Sequence, residues 1–339
     1  MKKSLLALAV LGAFAGAASA QSSVTIYGVA DVGIERFDND GAAGATWGLT
    51  SGNQSGSRIG FRGTEDLGGG LKANFVLENG FNIDTGTLGQ GGRLFGRQAW
   101  VGLSGGFGAV KFGRQMTPIF VAHDTIDPMG TGLSGAGSGM SAVFNPYGVR
   151  MDNTVNYSFS AAGFSAEAAY GFGEVAGATS AGRQIGLGAS YANGPLTVVA
   201  AYHDAQDPIA ASDADARTFF VGGAFDFRVA KLHAAYGDNR GDTAAGATGI
   251  RSRDYMLGVS APVGAGTISA SYIRRDERLV ADADGDYWAI AYVHSLSKRT
   301  NLYTSYSVIK NDDAGNVGGF AAGPGGDVSW FNVGIRHRF

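Results

Sequence analysis

The residues best suited to catalysis in this chain are its five histidines, two of which have an acidic neighbour. The segment AYHDAQ places His203 directly before Asp204. A histidine base also needs a nucleophile or a water molecule, and an orienting partner, within hydrogen-bonding reach, and adjacency in sequence does not supply these. The sequence therefore predicts that the protein is not an enzyme.

A second pattern has the residue types of a calcium loop. In DADGDYW, Asp282, Asp284 and Asp286 alternate as calcium ligands do, but Tyr287 stands where such a loop requires glycine and no glutamate follows at the twelfth position. We expect a solvated acidic loop with at most a weakly bound surface calcium ion. No other cofactor is expected.

The N-terminus and the overall composition limit the class of protein. Lys2 and Lys3, an apolar run and Ala18-Ser19-Ala20 predict a signal peptide (residues 1–20) cleaved after Ala20. The alternative is an anchor helix, but the run is too short to cross a bilayer. The remaining domain, residues 21–339, has 24 basic against 29 acidic residues and no cysteine. This balance argues against a nucleic-acid partner, and the lack of cysteine excludes stabilisation by disulfides.

Apolar and polar residues alternate along the whole chain, which is typical of half-buried β-strands. The segment SVTIYGVADVGIE is an example, and the same split returns in GLKANFVLENGF, RMDNTVNYSF, SRDYMLGVSA and TNLYTSYSVI. A soluble sandwich, such as a secreted adhesin, would show the same alternation. In the first segment, one face carries Val24, Ile26, Ala30, Val32 and Ile34, and the other carries Thr25, Tyr27, Asp31 and Glu35.

The connections between these strands separate the two architectures, because they alternate in length. Seven short turns and eight long polar loops divide the chain into about sixteen strands, the layout of an outer-membrane β-barrel. A barrel of this size encloses an aqueous channel, so the charged faces are expected to point inward and the apolar faces to lipid. The long loops are predicted near residues 38–53, 84–92, 115–149, 172–182, 204–216, 239–250, 275–285 and 310–326.

The loop at residues 115–149 is much longer than an ordinary connection. It contains too many apolar side chains for a loop that extends into water, and we therefore expect it to fold into the barrel and narrow the pore. These apolar residues are Pro118, Ile119, Phe120, Val121, Met129, Val143 and Phe144.

Several stretches together resemble the general-diffusion porins of the Gram-negative outer membrane, most closely those of beta-proteobacteria. They are SSVTIYGVADVGIE, SGSRIGFRGTEDLGGGLKA, GRQAWVGLSGGFGAVKFGRQ, LSKRTNLYTSYS and the C-terminal FNVGIRHRF. The resemblance implies a homotrimer of sixteen-stranded antiparallel barrels, with short periplasmic turns, long extracellular loops and an inward-folded third loop. It also implies an outer-membrane location, contact with lipid and lipopolysaccharide, and passage of small hydrophilic solutes and ions.

In such porins, basic residues on the wall face acidic residues on the third loop. The matching wall residues are Arg58, Arg97 and Arg150, and the available loop acids are Asp124 and Asp127. Strand parity independently places Arg58 and Arg150 inward, the latter on the same face as Asp152 and Asn156. For Arg97, an inward position would turn Gln98 outward beside Trp100. For each arginine, the alternative is a structural ion pair on the wall.

Four further charged residues are predicted to line the pore wall, and for Arg62 and Lys72 solvation is the expected role. They are Asp31, Glu35, Arg62 and Lys72. With arginines at the narrowest point, the channel is expected to conduct passively and to prefer anions. The alternative is a substrate-specific channel with a saturable sugar or organic-acid site, which a ladder of inward aromatic residues would favour.

The chain ends on VSWFNVGIRHRF, in which Phe331, Val333, Ile335, His337 and Phe339 share one face. A strand that continues to the last residue must be paired on both sides. We expect it to close the barrel against the first strand. By resemblance, Phe339 is also the signal that the outer-membrane insertion machinery reads. Arg114, on the outward parity, is expected near a subunit contact because an arginine that faces lipid is costly.

Overall fold

The computed structural model describes residues 23–133, 148–209, 212 and 214–339, which form a closed antiparallel β-barrel. The predicted signal peptide lies outside the described residues. Within them there are seventeen strands, of which two share one position in the wall, so the barrel has sixteen strand positions. The strands are β1 (Ser23–Asp38), β2 (Thr46–Ser51), β3 (Arg58–Gly68), β4 (Leu71–Gly80), β5 (Gln98–Gly105), β6 (Gly108–Met116), β7 (Arg150–Ala161), β8 (Phe164–Gly171), β9 (Gln184–Asn193), β10 (Leu196–Gln206), β11 (Asp215–Asp226), β12 (Lys231–Asp242), β13 (Thr248–Val263), β14 (Gly266–Glu277), β15 (Gly285–Ser295), β16 (Thr300–Asn311) and β17 (Val328–Arg338).

The barrel closes where the last strand pairs with the first, as predicted. Strand β17 runs antiparallel to β1 from the pair Val29–Arg338 to the pair Asp38–Ser329. The N–H of Gly28 donates to the carbonyl of Phe339 at 3.0 Å, and the N–H of Phe339 donates to the carbonyl of Gly28 at 3.1 Å. A Cβ on Gly28 would lie 2.3 Å from the Phe339 ring, so only glycine fits beneath it.

Strands β2 and β3 are two halves of one wall strand, because both pair with β1. Val32 of β1 pairs with Ser51, the last residue of β2, and Val29 pairs with Arg58, the first residue of β3. Two residues of β1, at positions 30 and 31, therefore lie opposite six residues, 52–57, of the neighbouring wall strand. The sequence prediction of a loop over residues 38–53 was wrong in this region, since β2 occupies most of its second half.

The connections alternate in length as expected, so all short turns lie at one rim. Their residues are 69–70, 106–107, 162–163, 194–195, 227–230, 264–265 and 296–299. The two faces of the strands also follow the prediction: on β13, Leu257 is exposed on the outer surface while Met256 is buried inside. In the described part of the chain, no helix is long and apolar enough to cross a membrane.

The long loop between β6 and β7 enters the barrel, as its apolar content predicted. It forms helix α1 (Pro118–Ile126), in which Thr117 caps the N-terminus by accepting the Phe120 N–H, and Pro118 occupies the first turn. Ile119 and Ile126 are fully buried in the cluster formed with the inner wall. Residues 134–147, including Val143 and Phe144, lie outside the described residues.

Glycines on the wall allow the helix to approach the sheet closely. A Cβ on Gly186 would lie 2.6 Å from the Pro118 ring, and one on Gly222 would lie 3.0 Å from the Ile126 side chain. The helix therefore covers one side of the lumen and leaves the other side open.

Candidate pore constriction

The open side of the lumen is a cavity of about 850 Å³ bordered by the wall, by residues 54–56 and by the long loop. The positive side chains greatly outnumber the negative ones around it. The basic residues are Arg58, Arg97, Arg150, Lys231, Arg336 and Arg338, and the acidic residues are Asp124 and Asp127. The structure thus brings together all five residues predicted for the constriction.

Arg58 and Arg150 are held by backbone carbonyl groups. The Nε of Arg58 donates to the carbonyl of Gly56 at 3.0 Å, and the Nε of Arg150 donates to the carbonyl of Arg97 at 2.8 Å. Among the described residues, no carboxylate oxygen lies within 4.0 Å of either guanidinium. A neutral acceptor orients each side chain without cancelling its charge.

Arg97 differs, because it forms a buried ion pair. Its Nε lies 2.7 Å from Oε1 of Glu78, and the Tyr27 hydroxyl donates to Oε2 of the same carboxylate at 2.9 Å. The expectation that an inward Arg97 would require an outward Gln98 was wrong. Arg97 precedes β5, so the alternation of that strand does not apply to it. Gln98 and Trp100 share a face and are hydrogen-bonded at 3.2 Å. Glu78 had not been identified from the sequence.

Two further arginines of the cavity, Arg336 and Arg338, come from the closing strand. They alternate with the apolar face of the last strand, and they were not included in the constriction predicted from the sequence. Arg336 donates from a terminal nitrogen to Oγ of Ser55 at 3.2 Å. Their alternation in GIRHRF gave their orientation, whereas their distance from the loop depends on β17 pairing with β1.

The two loop acids have different environments. Asp124 is exposed and accepts a hydrogen bond from the Thr131 hydroxyl at 2.6 Å. Asp127 follows α1, is buried, and accepts the N–H groups of Met129 and Thr131 at 3.0 and 2.9 Å. Burial raises the pKa of Asp127 to about 7, and the two backbone donors only partly offset this effect. Asp127 therefore titrates near neutral pH.

The four predicted wall residues lie on the inner face, but one of them is not exposed to the pore. Asp31 is fully buried, so its assignment to the lining of the pore was wrong: its side chain accepts three hydrogen bonds, two of them from the backbone of residues 54 and 55. Glu35 is half-buried. Arg62 and Lys72 are exposed, and the Arg62 guanidinium lies 5.2 Å from the centre of the Tyr27 ring.

The comparisons with known proteins agree with this architecture. Residues 7–314 match the family model described as Gram-negative porin. The chain belongs to the Gram-negative porin family. It is 39% identical to an outer membrane porin protein of Bordetella pertussis and 37% identical to outer membrane porin protein 32 of Delftia acidovorans, with all of both chains covered in each case.

The barrel is also similar to a solved structure, the anion-selective porin from Comamonas acidovorans. The identity is 34%, the TM-score is 0.80, and the match covers 94% of this chain and all of the other. The protein is thus an outer-membrane porin, a non-enzymatic channel with sixteen strand positions, as the sequence predicted.

Three of the histidines considered for catalysis are buried in this porin. His203 is fully buried. His123 of α1 is also buried, its ring centre is 4.4 Å from that of Phe220, and burial lowers its pKa to about 3. His233 donates from Nδ1 to the carbonyl of Ile126 at 2.7 Å, which ties the end of α1 to the wall.

The acidic segment examined for calcium is engaged with an arginine. Asp284 and Asp286 lie 2.7 and 3.1 Å from nitrogens of Arg274. Within the described residues, no group of three or more potential metal ligands is placed to hold an ion.

The inner aromatic residues of this porin are likewise engaged with the wall. Tyr27 binds Glu78, Tyr303 binds Asp31, and Trp330 packs against Phe37 and Phe320. These contacts hold the three rings against the wall.

The parity of Arg150 and Asp152 requires a correction. They had been placed on one face, yet Asp152 forms ion pairs with Arg93 and Arg114, the arginine predicted on the outer face. The next residue, Asn153, has φ of 52°, and β6 shifts register between Gly113 and Gln115. These irregularities break the alternation.

Proposed function

We propose that this porin prefers anions, and that Arg58, Arg150 and Arg336 carry the preference. The supporting observation is that these three guanidiniums line the cavity and bind only neutral oxygens among the described residues. Guanidinium groups stay charged at physiological pH. Their charge therefore remains available to a passing solute.

The mechanism is passive diffusion, in which no bond forms or breaks. Fixed charges in a narrow opening between low-dielectric walls create a potential of several kT, which concentrates anions and depletes cations. The preference weakens as salt rises, because the screening length falls from about 10 Å at 0.1 M to about 3 Å at 1 M. The similarity to the porin from Comamonas acidovorans, which is anion-selective, supports the same proposal.

The reversal potential across a salt gradient, measured in a planar bilayer, tests this function. The wild-type channel should show anion preference, and Arg150→Gln should lower it severalfold. Arg150→Lys retains the charge and should retain most of the preference. Arg62→Gln is the matched control, since Arg62 lies outside the cavity lining. A cation-preferring wild type, or an unchanged Arg150→Gln, would contradict the proposal.

We propose that the functional unit is a homotrimer held in the outer membrane by lipid and lipopolysaccharide. Exposed apolar side chains such as Leu257 and Trp288 cover the outer wall and support contact with lipid. On β13, the exposed Arg251 shares the outer face with Tyr255 and lies nearer the long-loop rim, a placement suited to lipopolysaccharide phosphates. Chemical cross-linking and native mass spectrometry with bound lipid would test both parts, and a monomer without lipopolysaccharide would oppose them.

We propose that the signal peptide is cleaved after Ala20 and that Phe339 is read by the insertion machinery. Its aromatic ring covers Gly28 at the seam and is half exposed on the outer face, which supports both access and closure. Deleting Phe339 should reduce the amount of folded protein in the outer membrane more than it reduces the conductance of channels that form. Normal assembly of that variant would argue against this role.

A further inference from the structure

A six-residue segment, Gly52–Ser57, turns into the lumen where the wall strand is interrupted between β2 and β3. We call it the inward segment. The regular ladder with β1 stops at Val32–Ser51 and resumes at Val29–Arg58, so six residues occupy the space of two. The N–H of Gly52 still donates to the carbonyl of Asp31, at 2.8 Å. The extra residues have room only toward the pore.

One buried carboxylate fixes this segment. Oδ2 of Asp31 accepts the N–H groups of Gln54 at 3.1 Å and Ser55 at 2.7 Å, while Oδ1 accepts the Tyr303 hydroxyl at 2.6 Å. The Asp31 side chain is fully buried. Hydrogen bonds to an ionised acceptor are stronger than those between neutral groups, so the carboxylate holds the backbone of the inward segment firmly.

Tyr303 is itself held in place by the sheet. Its hydroxyl lies over Gly334, where a Cβ would be only 2.2 Å away, and over Gly33, where a Cβ would be 2.9 Å away. These two glycines are cross-strand partners on β1 and β17. The barrel seam thus fixes Tyr303, which fixes Asp31.

The inward segment contacts three parts of the constriction. The carbonyl of Gly56 accepts from Arg58 at 3.0 Å, and Oγ of Ser55 accepts from Arg336 at 3.2 Å. The carbonyl of Gln54 accepts the N–H of Leu133, in the long loop, at 3.3 Å. Two pore arginines and one edge of the loop therefore depend on the same short backbone.

We propose that Asp31 and Tyr303 are positioning residues for ion selectivity: through the inward segment they hold Arg58, Arg336 and the loop edge at the opening. This proposal rests on the anion preference proposed above. An acid near a pore normally disfavours anions. Asp31 would instead favour them, because it holds the arginines in place.

The variant Asp31→Asn separates the two roles. If Asp31 acts only as a fixed charge, removing the charge should raise the anion preference. If it positions the arginines, the preference should fall, because an asparagine side chain cannot accept from Tyr303 and from both N–H groups with one carbonyl oxygen. We expect a fall in the anion-to-cation permeability ratio of roughly twofold, since the potential at the opening depends on where the guanidiniums sit.

Two further variants complete the experiment. Tyr303→Phe keeps the ring and every charge but removes the hydroxyl, and it should lower the ratio in the same direction by a smaller factor. Glu35→Gln is the matched control for charge: it removes a carboxylate from the same face of β1, outside the cavity lining, and should not lower the ratio. Rescue by Asp31→Glu is not expected, because the longer side chain does not fit the site enclosed by Gln54, Ser55 and Tyr303.

The outcomes decide the proposal even if Asp31→Asn does not fold. An unchanged or higher ratio in Tyr303→Phe would overturn it, as would a higher ratio in folded Asp31→Asn.

If the wild-type channel has no anion preference, the proposed function fails, and the positioning role is then tested by the open-channel current noise in 1 M salt. There, the noise should rise in Tyr303→Phe and not in Glu35→Gln, because screening removes most of the electrostatic effect. Equal noise in both would overturn the positioning role.

Discussion

Arginines at the constriction and arginines at the long-loop rim have the same side chain but different partners. At the constriction, Arg58 and Arg150 bind carbonyl oxygens. At the rim, Arg240 lies 2.6 Å from the Asp238 carboxylate, and Arg274 contacts two carboxylates, Asp284 and Asp286. An ion pair fixes a guanidinium and cancels its field, whereas a carbonyl fixes it and leaves the field in place.

This difference explains how an acidic chain can have a positive pore. The net charge is −3 over the whole sequence, yet two acidic side chains stand against six basic ones around the cavity. Acids are abundant elsewhere and pair with the rim arginines. The distribution of partners, more than the number of charges, determines the potential that a solute meets.

The largest effect on selectivity is expected when the constriction arginines are given a carboxylate partner, as the rim arginines have. Val29 lines the cavity and pairs across the sheet with both Arg58 and Arg338. Val29→Glu should place a carboxylate between them and reduce the anion preference severalfold, because a pair of opposite charges has a weak field at a distance. Reversal potentials measure this effect. Val29→Gln, of equal size, should leave most of the preference, and equal losses in both variants would contradict the comparison.

A smaller effect is expected from removing the one ion pair within the constriction. Glu78→Gln should raise the anion preference, because it leaves Arg97 with a neutral acceptor. Tyr27→Phe is the control, since it removes only the hydroxyl bound to Glu78. Arg97 is 10% exposed in its side chain, so the gain should be below the loss in Val29→Glu. A lower preference in a folded Glu78→Gln channel would count against this account.

The acidity of Asp127 predicts a still smaller dependence on pH. Its pKa is raised to about 7, so the carboxyl group is neutral below that pH and charged above it. The anion preference should therefore rise as pH falls from about 8 to about 6. The rise should be smaller than the change caused by removing one exposed charge at the opening, because the Asp127 carboxyl group is buried. Asp127→Asn should show the low-pH preference at both values. A step that persists in this variant would assign the titration to another group.

The smallest effect on selectivity is expected at the rim. Arg274→Gln removes an arginine whose field is already cancelled, so the reversal potential should not change. Exposed ion pairs contribute at most about 1 kcal/mol, and the variant should unfold only slightly earlier in a thermal melt. A clear change in selectivity would show that rim charges reach the pore, and would remove the distinction between the two regions.

The sequence predicted the barrel well because closure follows from local patterns. Alternation and turn residues gave the strands, the seven short turns and the pairing of the last strand with the first. Parity also gave Arg58 its inward direction. These features depend on neighbours within one strand or one turn, which a single sequence displays directly.

The errors came from contacts between distant residues. Strand β2 was read as loop, because it is short and has only two apolar residues, Trp47 and Leu49. Asp31 was assigned to the pore lining, because the inward segment that covers it has no pattern of its own. The pairing of Arg97 with Glu78, and the burial of Asp127, depend on which strands and loops meet in space. Bulges near Asn153 and Gly113 changed the face of adjacent residues such as Asp152, and nothing in the composition of those strands indicated them.

The interrupted wall strand also has a consequence for how such a channel can change. Because β2 and β3 are each registered against β1, residues inserted between Gly52 and Ser57 would extend the inward segment without shifting either half. The scaffold and the width of the opening are therefore separable. A protein engineer could lengthen, shorten or exchange this one segment to retune the channel, and natural insertions at the same place would be tolerated for the same reason.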